Sequence, residues 1–93
     1  MTPAQRKLAR HALGLPNSTG VSYRNRYVCG PGHSAYEEWR ALEMAGLAGR
    51  QLTNVFGDRI EGFWLTRAGA EAAREPGERL DPEEFPEAEE TTR

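Results

Sequence analysis

Apolar residues recur every three or four positions in three segments of the chain and alternate with polar residues in three others. This pattern predicts a small α+β domain. The first helical stripe lies between Leu8 and Leu13. A capping box of the form Thr-Pro-Ala-Gln begins at Thr2, with proline at the first helical position, and Gly14 is placed to end the helix. These signals predict a helix that ends near Leu13.

A turn-rich stretch follows, and after it apolar and aromatic residues alternate with arginines. This alternation predicts a strand over 21–28, which a Gly-Pro-Gly loop then ends. A second capping box, of the form Ser-Ala-Tyr-Glu, begins at Ser34. It predicts a helix over Ala35–Ala45, followed by Gly46, a residue suited to the left-handed position after a helix.

The next two apolar runs are short, and a turn-rich stretch separates them. They predict a β-hairpin with strands over 47–52 and 59–65 and a turn over 53–58. Thr66 follows as a helix cap, and the alanine-rich residues behind it predict a third helix over 67–74. The expected order is therefore helix, strand, helix, hairpin, helix.

Charge divides the chain into two parts. Residues 1–74 carry ten basic and six acidic residues, whereas residues 75–93 carry eight acidic and two basic residues. We therefore predict a compact domain over 1–75 and an acidic, largely mobile tail over 76–93. Within this tail, Asp81-Pro82-Glu83-Glu84 has the signature of one helical turn that could hold Phe85 against the body.

Size and composition exclude several classes of protein. A chain of 93 residues forms one domain with a small core, which disfavours a deep catalytic cleft. It contains no run of 18 apolar residues and no signal-peptide pattern at its N-terminus, so we expect a cytoplasmic protein without a membrane partner. The single cysteine, Cys29, cannot form an internal disulfide. The sequence gives no indication of the oligomeric state.

Three segments carry a resemblance to a known family: ALEMAGLAGR at 41–50, GDR at 57–59 and FWLTRAG at 63–69. Together they resemble the helix, wing and following helix of winged-helix proteins of the MarR type. The resemblance implies a winged-helix-like C-terminal half. It also implies an alternative function, DNA binding, which would use Arg50, Arg59 and the basic residues near the N-terminus.

A second resemblance extends over most of the chain outside the tail. It rests on TPAQRK at 2–7, YRN at 23–25, GPGHS at 30–34 and WLTRAGAE at 64–71. These motifs resemble short proteins of unknown function from tailed phages and prophages. The resemblance implies an accessory role in a phage and carries no known site residues.

Candidate chemistry is sparse. Cys29, His33 and His11 are too few for a structural zinc site, and no third group orients Cys29 and His33 as a nucleophile pair, so we expect no metal, no cofactor and no enzyme. The loop before the second helix could bind an anion through free backbone N–H groups. Its candidate residues are Gly30, Gly32, His33 and Ser34. The alternative is that the glycines only permit a tight turn.

The remaining candidates favour binding to another macromolecule. Interface hot spots are enriched in tryptophan and arginine, so we predict partner-binding residues at Arg24, Arg26, Arg59 and Trp64. A protein is the favoured partner, for example a host-defence complex such as a CRISPR effector. Nucleic acid is the alternative, because basic residues near the N-terminus lie among tyrosines.

Overall fold

The structure is a computed structural model that describes residues 1–55 and 58–85, without the side chains of residues 54, 55, 58 and 59. Three helices lie against one face of a three-stranded antiparallel sheet. The elements in chain order are α1 (Pro3–Leu13), β1 (Tyr27–Cys29), α2 (Tyr36–Met44), β2 (Ala48–Val55), β3 (Asp58–Leu65) and α3 (Arg67–Ala73). These helices and this antiparallel sheet confirm the predicted α+β class. None of the helices in these ranges is long and apolar enough to cross a membrane.

Helices α1 and α3 begin where the capping signals place them. The Thr2 hydroxyl accepts a hydrogen bond from the Gln5 amide, and the Gln5 side chain accepts one from the Thr2 amide. Gly14 follows α1 in the left-handed region, with φ of 81°. The Thr66 hydroxyl accepts from the Gly69 amide at the start of α3. Both ends of α1 and the start of α3 are therefore confirmed.

Helix α2 begins differently from the prediction. Ala35 is its capping residue, and the Ser34 side chain makes no capping hydrogen bond. The acceptor is instead the His33 ring, whose Nδ1 lies 3.0 Å from the amide of Ala35. The predicted Ser34 capping box is therefore wrong, while the predicted role of Gly46, with φ of 80°, is confirmed.

The predicted strand over 21–28 is also wrong in its extent, since β1 covers only Tyr27–Cys29. The preceding residues are bonded to other parts of the chain. The amides of Tyr23 and Arg26 donate to carbonyls at the end of α1, and the amide of Ser22 donates to the Arg79 carbonyl. Because these groups already have partners, this segment does not extend the sheet ladder.

Strand β3 is central, in the order β1-β3-β2. The hairpin strands are longer than predicted, and their pairing runs from Ala48↔Leu65 to Val55↔Asp58. The two residues that connect them lie outside the described part of the chain. On the other side of β3, Val28 pairs with Gly62 and Cys29 with Glu61.

The core lies between the helices and the sheet. Trp39 and Phe63 are both fully buried and stack with their ring centroids 5.5 Å apart. Leu13, Leu42 and Leu65 surround them. Inward-facing aromatic rings of this size supply much of the apolar area that a domain of this length can bury.

Residues 78–85, which the sequence assigns to the tail, pack against the body; we call them the C-terminal strap. Both Arg10 guanidinium Nη atoms donate to the Glu78 carboxylate, at 2.6 and 2.7 Å. The amide of Phe85 donates to the Asp81 carbonyl in the predicted helical turn, and the Phe85 side chain is only 5% exposed. Packed chain therefore extends to Phe85, and residues 86–93 lie outside the described part.

Candidate interaction surface

The sheet has a second face that the helices do not cover, which we call the outer face. Because side chains alternate along a strand, Glu61, Phe63 and Leu65 of β3 point into the core while Gly62 and Trp64 point the other way. The outer-face residues are Val28, Gln51, Thr53, Ile60, Gly62 and Trp64. Two large apolar side chains are exposed there, with Val28 at 51% and Trp64 at 43%.

A groove of about 890 Å³ runs over this face. The outer-face residues form its floor, and its walls come from the segment before β1, the start of α3 and the C-terminal strap. The wall side chains are Asn25, Arg26, Arg67, Glu84 and Phe85. The volume lies within the range of sites that bind ligands of several residues or drug size.

Two glycines determine the shape of the groove floor. At Gly49 an added Cβ would collide with the indole of Trp64, so the ring can occupy the space over β2 only because that position is glycine. At Gly62, which pairs with Val28 on one side and Gln51 on the other, an added Cβ would meet nothing within 4 Å. Gly62 therefore leaves a notch in the middle of the face, between the side chains of its neighbours.

The groove wall contains two arginines in different states. Arg26 is exposed and forms no side-chain hydrogen bond or ion pair with the residues that the structure describes. Arg67 donates to the Phe85 carbonyl at 2.8 Å and lies 3.9 Å from Glu71. Of these two arginines, Arg26 is thus the one without a side-chain partner among the described residues, and it lies beside the exposed apolar floor.

The structure brings together two of the four predicted partner-binding residues. Arg26 and Trp64 line the same groove. Arg24 lies at the end of α1, where its Nε and Nη2 donate to the His11 carbonyl at 3.2 and 2.7 Å and its guanidinium stacks on Tyr23. Arg24 therefore helps to satisfy a helix terminus. The side chain of Arg59 lies outside the described part of the chain.

The predicted anion loop uses several of its donors internally. The amide of His33 donates to Gly30, and the amide of Tyr36 donates to His33. The Ala35 amide is bonded to the His33 ring. Gly32 adopts a positive φ of 94°, as expected for a tight turn. This bonding favours the structural interpretation of the loop and leaves few N–H groups for an anion.

The sequence analysis did not predict one arrangement of charged side chains, a cluster on the inner side of the sheet. Glu61 is 1% exposed and accepts hydrogen bonds from the Tyr36 hydroxyl and from Arg50 Nη1, both at 3.0 Å. Arg50 Nε also donates to Glu43 at 3.1 Å. The bond to Glu61 raises the pKa of Arg50. Alternation of side chains along the predicted strand could have placed Glu61 inside, but nothing in the sequence named its partners.

Cys29, His33 and His11 are not assembled into a site. Cys29 is buried, and burial raises the pKa of its thiol, with a further contribution from the charge of Glu61. The rings of His11 and His33 each pack edge-on against Tyr27. Among the described residues, no three histidine, cysteine or acidic side chains are grouped so that they could hold a metal ion.

Comparison with protein families, curated proteins and solved structures found no match to this chain. The groove on the outer face is therefore the feature on which a functional proposal can rest. This groove of about 890 Å³ combines an exposed tryptophan with Arg26, which has no side-chain partner among the described residues.

Proposed function

We propose that the protein is a non-enzymatic accessory protein of the phage or prophage type that binds a protein partner stoichiometrically through its outer face. One observation carries the proposal: Trp64 and Val28 are exposed on a sheet face that the described helices leave open, and Arg26 lies beside them. Tryptophan and arginine in one groove are the residue types that contribute most to protein interfaces. The groove floor supplies apolar area, and Arg26 supplies directional polar contact.

Two observations favour a protein partner over DNA. Arg50, which a winged-helix DNA binder would use, is bonded to Glu61 and Glu43. Helix α2, which would enter a DNA groove, has Glu37 and Glu38 in its first turn. Carboxylates on that surface repel phosphates.

We include in this proposal a winged-helix-like fold for the C-terminal half. A helix followed by a hairpin, with β1 paired to the far strand of that hairpin, supports the winged-helix-like description of the C-terminal half. On this view the scaffold presents its sheet face rather than its helix to the partner. The resemblance to phage proteins supports a target in host defence, for example a CRISPR effector complex, in the cytoplasm of the infected cell.

The test is capture of a partner by the full-length protein from a nuclease-treated lysate of the bacterial host, followed by reconstitution from purified components. We expect one protein at fixed stoichiometry, and we expect Trp64→Ala and Arg26→Ala to abolish its capture. Leu52→Ala is the matched control, because Leu52 is an equally exposed residue of the same sheet that pairs with Glu61 on the opposite face.

Two results would contradict the proposal. Capture that disappears after nuclease treatment, with an affinity that falls steeply as salt rises, would favour the DNA-binding alternative. A partner retained by Trp64→Ala and Arg26→Ala but lost in Leu52→Ala would assign the contact to the other side of the molecule.

A further inference from the structure

We infer that the open edge of β2 pairs with β2 of a second copy of the chain, so that two copies join their sheets across a two-fold axis at Leu52. This inference goes beyond the proposed function, because the pairing uses the edge of the sheet rather than its outer face. Two properties of β2 support it: the free backbone groups on its open side and the order of residues along the strand.

The open side of β2 carries backbone groups without a partner. The strand order β1-β3-β2 places β2 at the edge of the sheet, with β3 on one side only. In an antiparallel ladder every second residue turns its N–H and C=O away from the neighbouring strand. Apart from the ladder with β3, no backbone group of residues 48–53 is hydrogen-bonded to the part of the chain that the structure describes. A row of such groups is satisfied by another extended strand.

β2 also lacks the features that keep most sheet edges from pairing, which are short length, bulges, proline and free charges. It is eight residues long, pairs residue by residue with β3 and contains no proline. Its one charged residue, Arg50, is bonded to Glu43 and Glu61 of its own chain. The opposite edge is different, because β1 has only three residues. The edge of β2 is therefore the one that can add a strand.

The order of residues along β2 favours a second copy as the added strand. Directly opposite residues of an antiparallel pair point to the same face, so two copies that keep their faces aligned must pair one residue with itself. With Leu52 on the axis, each Gln51 lies opposite Thr53 of the other copy, which matches polar with polar on the outer face. Leu52 is 48% exposed although it lies on the same face as the buried Glu61. In the dimer the two Leu52 side chains cover each other, which removes apolar area from water.

No like charges meet in this register. Arg50 lies opposite position 54 of the second copy, so the two Arg50 residues are separated by roughly 13 Å along the paired strands. Each guanidinium remains bonded to Glu43 and Glu61 of its own chain. An axis at Gln51 would instead place Arg50 opposite Leu52. The axis at Leu52 is therefore the register that covers the exposed leucine without a charge facing it.

Sedimentation of the full-length protein at rising concentration tests the inference. A contact made by one strand from each copy is small, so we expect a monomer–dimer equilibrium in the micromolar range. Leu52→Lys and Leu52→Glu each set two like charges against each other on the axis, and each should weaken the dimer at least about tenfold. An equimolar mixture of these two variants should dimerise again, because opposite charges then face each other.

Ala72→Lys is the matched control, because it adds a positive charge at an exposed position of α3 and should leave the dimer unchanged. Thermal unfolding of each variant shows whether a weakened dimer reflects a weakened fold. Amide hydrogen exchange locates the contact, since alternate amides over 49–53 should exchange more slowly at concentrations where the dimer forms.

Three results would overturn the inference: a protein that stays monomeric up to about 0.5 mM, a dimer that persists in both Leu52 variants, or a mixture of those variants that does not dimerise. None of them contradicts the proposed function, because a monomer retains the groove on its outer face. Conversely, Arg26→Ala should lose the captured partner and keep the dimer, so the two proposals can fail separately.

Discussion

The two faces of the sheet differ in how far their side chains are buried and hydrogen-bonded. On the inner face, Phe63 and Leu65 are buried, and even the charge of Glu61 has hydrogen-bond partners. On the outer face, Trp64 is nearly half exposed and Gly62 leaves open space. Residues that are adjacent in β3 thus have opposite environments, which separates the residues that stabilise the fold from those available for binding.

The largest effect is expected from Phe63→Ala on the inner face. Phe63 is fully buried between Tyr36 and Trp39, so its truncation should lower the free energy of unfolding by about 4 kcal/mol. The free energy of unfolding of a small domain is only about 5–15 kcal/mol, so this loss is a large part of it. Denaturant unfolding measures the change. Trp64→Ala is the outer-face counterpart, and a loss of similar size there would contradict the division between the faces.

The next effect concerns Glu61. Glu61→Ala leaves Arg50 and the Tyr36 hydroxyl without their buried acceptor, so we expect a loss of about 3 kcal/mol. Exchanging both partners of the ion pair, with Glu61→Leu and Arg50→Met together, should recover most of that loss because no buried charge is left unpaired. Urea unfolding of the single and double variants checks this. A double variant less stable than Glu61→Ala would show that the charges themselves stabilise the fold.

Local signals explain which parts of this structure could be predicted from sequence. The caps of α1 and α3 depend on residues within four positions of each other, and Thr2, Gly14 and Thr66 were placed correctly. The pair Arg10–Glu78 joins residues far apart in the chain, so no local pattern indicates it. Likewise, apolar and polar residues alternate over 21–28 and predict a strand longer than β1. The pattern does not show that the amides of Tyr23 and Arg26 donate to carbonyls at the end of α1.

The candidate surface was predictable to a similar extent. Alternation along β3 predicts that Phe63 and Trp64 point to opposite faces, and the exposure of Trp64 agrees with this. The position of Arg24 at the end of α1 and the approach of the C-terminal strap to the groove depend on tertiary packing. For the same reason Arg26 could not be distinguished from Arg24 by sequence.

A smaller, pH-dependent effect is expected at the C-terminal strap. The hydrogen bond from Arg10 lowers the pKa of Glu78 to about 2, from an ordinary value of 4.5. A lowered folded-state pKa stabilises the fold above pH 4.5 and loses this contribution as the pH falls toward 2. Glu78→Gln should cost about 2 kcal/mol at neutral pH and flatten this acid dependence. Melting temperatures between pH 2 and 7 measure it, and an unchanged slope in Glu78→Gln would assign the acid sensitivity to other carboxylates.

The smallest effect on stability distinguishes the notch from a packing requirement. Gly62→Ala adds a methyl group where nothing lies within 4 Å, and glycine is unfavourable inside a strand, so we expect a gain of about 0.5 kcal/mol. Gly69→Ala is the matched contrast, because its Cβ would collide with the Leu47 carbonyl. Thermal unfolding of both variants tests this. If Gly62→Ala is destabilised like Gly69→Ala, the glycine serves the fold; if it is stabilised while capture of the protein partner weakens, the open space at Gly62 is retained at a cost in stability, as expected of a binding site.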